Sequence, residues 1–328
     1  MDGLANLAVD LSIVVPVYFN EGALATTMSS IKAEVLALQP DLCCEVIFVD
    51  DGSGDRSFDE LVALQKQDPH IVKVIKLTRN FGQANALLAG FSYAKGRCVV
   101  AMSADGQDPP ELINQMLQAH FDEGFHIVAG MRQGRDESYY RIFTSRLFYA
   151  LMRRLSFPNM PLGGFDFVLL SRRAVDILLR NQEAYPFFQG QLLWMGLRTQ
   201  FLPYRRRERK VGHSRWTFGK KLTYLLDGTM AYSFLPMRLM SGIGLIAASL
   251  GFLYAAIIFL GRLVWGNPVQ GWAPLMIVVL VMGGLQMLML GVVGEYLWRT
   301  LAQVRHRDPY IVEAVVDQTS SNESGAAA

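Results

Sequence analysis

Cysteine is scarce: the 328 residues hold only 3, Cys43, Cys44 and Cys98, and their spacing matches neither a metal site nor a disulfide framework. They read as small buried hydrophobes of a reducing compartment. Charge of one sign is also missing, since a formal net charge of +2 is too small for a nucleic-acid surface. Two common phosphate cradles are absent. Gly52-Ser53-Gly54 lacks the third glycine of a dinucleotide fingerprint and follows the second strand-like run instead of the first, which disfavours hydride transfer. Gly219-Lys220-Lys221 lacks both the upstream glycine and the hydroxyl residue of a P-loop. No Ser-His or Cys-His pairing stands in a recognisable motif, and His213 and His306 read as surface or juxtamembrane residues without chemistry. The stretch Met1 to Asp10 has no basic flank and Leu11 to Val17 is too short for a signal core, so the first domain is expected in the cytosol.

Apolar residues make up 51% of the chain, and their excess is uneven. Leu239 to Gly261 and Pro274 to Val293 are uncharged runs of about 20 residues, the length that crosses a bilayer. Lys220, Lys221 and Arg238 precede the first run, and Arg299, Arg305 and Arg307 follow the second. The connection carries Arg262, Trp265 and Trp272, so both ends are expected to face the cytoplasm. Between Trp216 and Tyr232, apolar residues alternate with Lys220 and Lys221 as in a helix lying at a membrane interface. The expected organisation is a cytosolic catalytic domain over 1–215 and a juxtamembrane amphipathic region over 216–236. Membrane helices over 237–264 and 272–298 follow, then a cytosolic tail over 299–328, disordered from about Gln318.

Before Arg238 strand-like and helix-like segments alternate. Strands are expected at Leu11–Val17, Cys44–Val49, Ile71–Leu77 and Cys98–Met102, with helices at Ala23–Leu38, Ser57–Gln67 and Gln83–Lys95 between them. Ser57-x-x-Glu60 has the form of a capping box, and Asp108 precedes Pro109-Pro110 as a helix cap would. This alternation implies a parallel sheet whose strand C-terminal ends open on one edge, where such sheets bind ligands. Polar residues gather there: Tyr18, Asn20 and Glu21 after the first strand, Asp50 and Asp51 after the second, Arg79 and Asn80 after the third, Asp105 and Gln107 after the fourth. Asp105 and Gln107, two apart past a strand end, can turn oxygens toward one hard divalent cation, which would neutralise a diphosphate that no glycine loop cradles.

The ordered motifs Pro16-Val17-Tyr18-Phe19-Asn20-Glu21, Val49-Asp50-Asp51-Gly52-Ser53, Arg79-Asn80-Phe81-Gly82, Ser103-Ala104-Asp105-Gly106-Gln107-Asp108-Pro109-Pro110, Thr144-Ser145-Arg146-Leu147-Phe148-Tyr149, Gly164-Phe165-Asp166-Phe167 and Gly294-Glu295-Tyr296-Leu297 cover nearly the whole chain. With two spans behind them, they resemble the family-2 polyprenyl-phosphate glycosyltransferases, which include dolichol-phosphate mannose synthase and GtrB-like glucosyltransferases. The resemblance implies an α/β GT-A fold, a Rossmann-like nucleotide-diphospho-sugar transferase domain followed by two transmembrane α-helices. It implies that Pro16, Tyr18, Glu21, Asp50, Asp51 and Arg79 line the nucleoside side, with Asp51 accepting from the base, and that Asp105 and Gln107 hold Mg2+ or Mn2+. Arg132 and Arg146 would hold the lipid phosphate, Arg209, Ser214 and Arg215 would close over the diphosphate, and Asp166 would orient the acceptor or accept from a sugar hydroxyl. Ser103, counted with the nucleotide-sugar-binding residues and able to reach a metal through a water, departs from the pattern, standing where the family often has a first acidic residue, and Gly106 stands where leucine is common.

A lipid phosphate needs no base, because its second pKa is near 6. The implied reaction is an inverting transfer of a hexose, glucose by analogy, from a UDP-sugar to polyprenyl (undecaprenyl) phosphate at the inner membrane's cytoplasmic face. The resemblance also implies a homo-oligomer through the spans, such as a tetramer, and no nucleic-acid partner. A GDP-mannose donor, an amino-sugar donor and a non-catalytic nucleotide-sugar-binding relative remain as alternatives. A processive polysaccharide synthase fits less well, as its Gln-x-x-Arg-Trp signature is missing.

Overall fold

The computed structural model describes residues 9–132, 150, 153–154, 157–161, 164–207, 228, 230–265 and 272–318. The chain divides into two units, 1–225 with 308–328, and 226–307.

The first unit is built on an eight-stranded sheet of order β7-β5-β6-β4-β1-β2-β3-β8. Its strands are β1 Leu11–Val17, β2 Cys44–Asp50, β3 Val72–Leu77, β4 Cys98–Ala101, β5 Ile127–Arg132, β6 Val168–Ser171, β7 Thr199–Tyr204 and β8 Val312–Val316. Near-continuous apolar runs such as Ile13-Val14-Val15 suit strands covered on both faces. Ile13, Val15, Val46 and Phe48 pack on one side with α1 (Leu24–Ile31), α2 (Ser57–Gln67) and α4 (Leu112–Phe121). Val14, Ile47 and Val49 pack on the other with α3 (Gln83–Tyr93), α5 (Arg172–Arg180) and α6 (Phe188–Trp194).

Strands β4, β1, β2 and β3 are parallel, and the chain steps outward from β1 to β3 before α3 returns it to the far side of β1. The order therefore reverses between β1 and β4, and a crevice opens at their C-terminal ends. The expected strands recur within a residue or two at their ends. Two expected caps do not form. Ser57 Oγ accepts from the Asn20 amide at 2.9 Å, and Glu60 accepts from the Gly22 amide at 2.9 Å, so both residues hold the β1–α1 loop and not their own helix. Asp108 likewise turns away from α4, which has no side-chain cap.

No sequence signal marked β8. It pairs antiparallel with β3 at the sheet edge. Lys76 Nζ meets Glu313 at 3.0 Å, the Thr78 amide donates to the Ile311 carbonyl at 3.0 Å, and Tyr310 Oη lies 2.9 Å from Ser92 Oγ.

The second unit contains two long apolar helices, α7 (Leu235–Trp265) and α8 (Trp272–Val304). Leu235–Leu260 and Leu275–Val304 each reach a mean hydropathy of 2.4 and are long enough to cross a membrane. Glu295 near the end of α8 pairs with Arg299 one turn on, at 2.9 Å.

Because β8 alone covers the outer edge of β3, deleting residues 308–328 is expected to speed amide exchange over Val74–Thr78 by at least about tenfold while the β1 and β4 amides stay protected. Hydrogen-exchange mass spectrometry of the full chain and the deletion checks this.

Candidate active site

The loop after β1 is held by side chains from the start of α2. The Phe19 amide donates to Ser53 Oγ at 3.0 Å and the Tyr18 amide to Asn20 Oδ1 at 2.9 Å. Phe19 has φ +54, a left-handed conformation that costs a bulky aromatic free energy and persists only where the surroundings impose it. The Tyr18 and Phe19 rings meet edge to face at 4.7 Å, and Pro16 is partly exposed at the same strand end. Glu21 lies on the rim, paired with Arg56 at 3.3 Å.

Asp50 and Asp51 end β2 with exposures of 0% and 3%. Asp51 accepts from the Phe81 amide at 2.7 Å and the Gly82 amide at 2.9 Å, so its carboxylate ties the β3–α3 loop to β2. That loop carries Arg79, whose guanidinium lies 4.0 Å over the Phe81 ring. Gly52, at φ +68, lets the two loops touch, since a Cβ there would sit 2.6 Å from the Arg79 carbonyl carbon. Asp50 Oδ1 accepts from the Ser53 amide at 3.2 Å, while its buried Oδ2 has no hydrogen-bond partner. Burial pushes the Asp50 carboxyl upward, with the Ser53 bonds opposing.

After β4 the chain turns at Gly106, φ +68, between Asp105 and Gln107. Thr27 of α1 supports this loop by donating to the Ala104 carbonyl at 3.0 Å. Asp105 Oδ1 accepts from Ser103 Oγ at 2.9 Å and from the Gln107 amide at 3.1 Å, and Oδ2 lies 3.7 Å from Arg206 Nη2. Gln107 is tied to the segment after β7 twice: the Arg207 amide donates to its carbonyl at 2.9 Å and its side-chain Nε2 donates to the Arg207 carbonyl at 3.3 Å. Arg207 in turn grips Glu34 at 3.0 Å and Glu111 at 2.6 Å. Among the described residues no group of three or more His, Cys, Asp or Glu forms a metal cage. The Asp105 carboxylate and the Gln107 amide oxygen are hard donors suited to a cation that keeps waters and substrate phosphate in its other positions. The buried Arg206 Nε beside them has no hydrogen-bond partner, as a site built for an anionic ligand would leave it.

Arg132 ends β5 and pairs with Asp166 at 2.6 Å, while Gln189 donates to the other Asp166 oxygen at 2.6 Å. Burial works against the Arg132 charge, but Asp166, Tyr204 and Asp108 together outweigh it and raise its pKa. Arg146, Arg209, Ser214 and Arg215 lie outside the described residues. Sequence reasoning missed Arg206, Gln189 and Tyr204, which reach the site from elements far along the chain. The Arg205-Arg206-Arg207 run directly after a strand was the available signal.

A family model described as glycosyl transferase family 2 matches residues 12–178, which span β2 to β6 and all but the first residue of β1. The chain belongs to glycosyl transferase family 2. Family membership and the mixed α/β sheet identify a glycosyltransferase with the GT-A fold. It is similar to an uncharacterized glycosyltransferase of Synechocystis, 34% identical over 307 residues, 93% of this chain and 95% of that one. The bactoprenol glucosyl transferase of Shigella phage SfV is 34% identical over 304 residues, 92% of this chain and 98% of the phage protein. Among solved structures, the mannosyltransferase PcManGT of Pyrobaculum calidifontis, in complex with GDP-Man and Mn2+, is similar at a TM-score of 0.49 and 18% identity, covering 67% of this chain and 63% of that one.

Burial, opposed by the Phe81 and Gly82 amides, pushes the Asp51 carboxyl up to about 6. A carboxyl raised on folding contributes stability that is fully present below its unfolded pKa of about 4 and is lost as pH rises through about 6. Asp51→Asn presents one acceptor and one donor group, as the protonated carboxyl does, but does not titrate. Its stability relative to the native chain should therefore rise by on the order of 3 kcal/mol from about pH 4 to about pH 7, as read by denaturant melts. Gly52→Ala is expected to lower stability by more than about 1 kcal/mol in the same assay.

Proposed function

We propose that this glycosyltransferase transfers glucose, with inversion, from UDP-glucose to polyprenyl (undecaprenyl) phosphate at the cytoplasmic face of the inner membrane. The observation that carries the reading is the meeting of Asp105 and Gln107 with Arg206 where the strand order reverses. A carboxylate and amide oxygen for a cation, beside a guanidinium for phosphate, is the combination a nucleoside diphosphate requires. The bactoprenol glucosyl transferases, alike over 92% of this chain, support the sugar and the acceptor.

The acceptor brings its own nucleophile. A phosphate monoester is largely dianionic at neutral pH, so the protein must place its oxygen in line with the anomeric carbon and need not deprotonate it. Arg132, braced by Asp166, is the described guanidinium assigned to that phosphate. The phosphate oxygen forms its bond to the anomeric carbon as the bond to the diphosphate oxygen breaks, so an α-linked donor yields a β-linked lipid phosphate sugar. Asp105 and Gln107 would hold Mg2+ or Mn2+, whose contribution is to neutralise charge on the departing diphosphate. Arg206 adds a fixed positive charge from the end of β7, already in place before reaction. Pro16, Tyr18 and Glu21 are assigned to the nucleoside, and Asp51 sets the loop that presents Arg79.

The chain path supports this membrane placement. β8 lies in the same sheet as β1 to β7, with both candidate spans between β7 and β8 in the sequence, which favours flanks on one side of the bilayer. Arg238, Arg299, Arg305 and Arg307 against Arg262 in the connection favour the cytoplasm as that side.

The test is transfer of labelled sugar from a panel of UDP- and GDP-sugars into organic-extractable lipid by the purified full chain, with polyprenyl phosphate and Mg2+ or Mn2+. The expected result is label from UDP-glucose, abolished by chelator, with Asp105→Ala slowed more than about a hundredfold. Label from GDP-mannose alone would overturn the donor, and native-rate transfer by Asp105→Ala would overturn the metal site.

A further inference from the structure

Asp108 is buried at 1% exposure, yet it neither caps a helix nor stands among the residues assigned to the donor. Its Oδ2 accepts from the Ser103 amide at 3.1 Å and from the Ser103 hydroxyl, and its Oδ1 accepts from Tyr204 Oη at 2.8 Å. The Ser103 hydroxyl also reaches Asp105 Oδ1 at 2.9 Å. On the far side, Tyr204 is the register partner of Arg132 across β5 and β7, and its oxygen is placed to accept from that guanidinium. Arg132 carries the line on to Asp166 at 2.6 Å, and Asp166 to Gln189 at 2.6 Å.

Resting on the transfer reaction proposed above, we infer that Asp108 and Tyr204 are positioning residues. They join the donor-side carboxylate, Asp105, to the acceptor-side pair, Arg132 and the partly exposed Asp166, in one hydrogen-bonded chain, buried at Asp108 and Tyr204, that fixes the spacing between the two reactants' holders.

Two observations favour this over simple packing. The Tyr204 ring packs without its hydroxyl's help, edge to face with Phe167 at 6.0 Å and against Gly130. A buried carboxylate that served packing alone would be cheaper as an apolar side chain, because desolvating a charge costs more than its hydrogen bonds return. Ser103 is matched to the same arrangement. Its single hydroxyl hydrogen is shared between the two carboxylates as a three-centre bond, whereas an acidic residue there would set a third like charge against both. The chemistry is that of a rigid support, since neither Asp108 nor Tyr204 needs to touch either substrate.

The test is Tyr204→Phe, which deletes one hydroxyl and keeps the ring. Mn2+ affinity is read by electron paramagnetic resonance in the presence of UDP, acceptor KM and kcat by lipid-label transfer, and uridine binding by calorimetry. The expected result is an about tenfold loss of Mn2+ affinity together with an about tenfold rise in acceptor KM, from a residue that contacts neither, while uridine affinity holds and the melting temperature falls without loss of the fold. Ser103→Ala should lower Mn2+ affinity similarly, and the double variant should fall short of the sum of the two losses, as members of one chain do. Asp108→Asn provides the same readouts if Tyr204→Phe does not fold. Native Mn2+ affinity and acceptor KM in the folded variant would overturn the inference. If the native chain transfers no sugar, the transfer reading fails, while the Mn2+ titration and its double variant still decide whether Tyr204 and Ser103 act through one chain.

Discussion

Carboxylates buried at the ends of parallel strands cannot turn to water, so each must find its hydrogen-bond donors within the protein. That requirement organises this catalytic domain. Asp51 takes the amides of Phe81 and Gly82 and so fixes the loop after β3 to the end of β2. Asp108 takes Ser103 and Tyr204 and so fixes the loop after β4 to the end of β7. Asp166, partly exposed just ahead of β6, takes Arg132 and Gln189 in the same way and so closes the end of β5 onto α6. Loops with little apolar area of their own become rigid through acids that would be costly if left unpaired.

Three buried polar atoms among the proposed site residues have no hydrogen-bond partner: Asp50 Oδ2, an acceptor, and Arg132 Nε and Arg206 Nε, both donors. A nucleoside diphosphate presents donors on its sugar and base and acceptors on its phosphates, so it complements both kinds. Two helices long and apolar enough to cross a membrane stand in sequence between β7 and β8 of the sheet. The edge strand also reaches the start of the Arg79 loop through the Thr78 amide and the Ile311 carbonyl.

What could be read from the sequence divides by range. The runs Leu11–Val17 and Cys44–Asp50 were legible as strands because burial on both faces leaves an apolar signature that no neighbour needs to explain. Asp105 and Gln107 stood out because the apolar run before them ends abruptly, and the two spans because of their length. The caps were misread for a physical reason. Ser57, Glu60 and Asp108 have the right local spacing for helix termini, but partners distant in sequence offered better use of their oxygens: the Asn20 and Gly22 amides and the Tyr204 hydroxyl. Val312–Val316 was invisible for the same reason, since five residues become a strand only when the exposed edge of β3 is there to pair with. Arg206 and Tyr204 lie about a hundred residues from the loop they complete, a distance no local motif spans.

The central claim is that the crevice between β1 and β4 holds a metal-bound nucleoside diphosphate between Asp105 and Arg206. Calorimetric titration of UDP into the full chain, with Mn2+ and with chelator, tests it most directly when repeated on Asp105→Asn and Arg206→Gln. The account predicts that native binding weakens at least about tenfold with chelator, that Asp105→Asn loses this metal dependence, and that Arg206→Gln weakens binding while retaining it. Equal affinity for UDP in all three proteins, with or without Mn2+, would contradict the account.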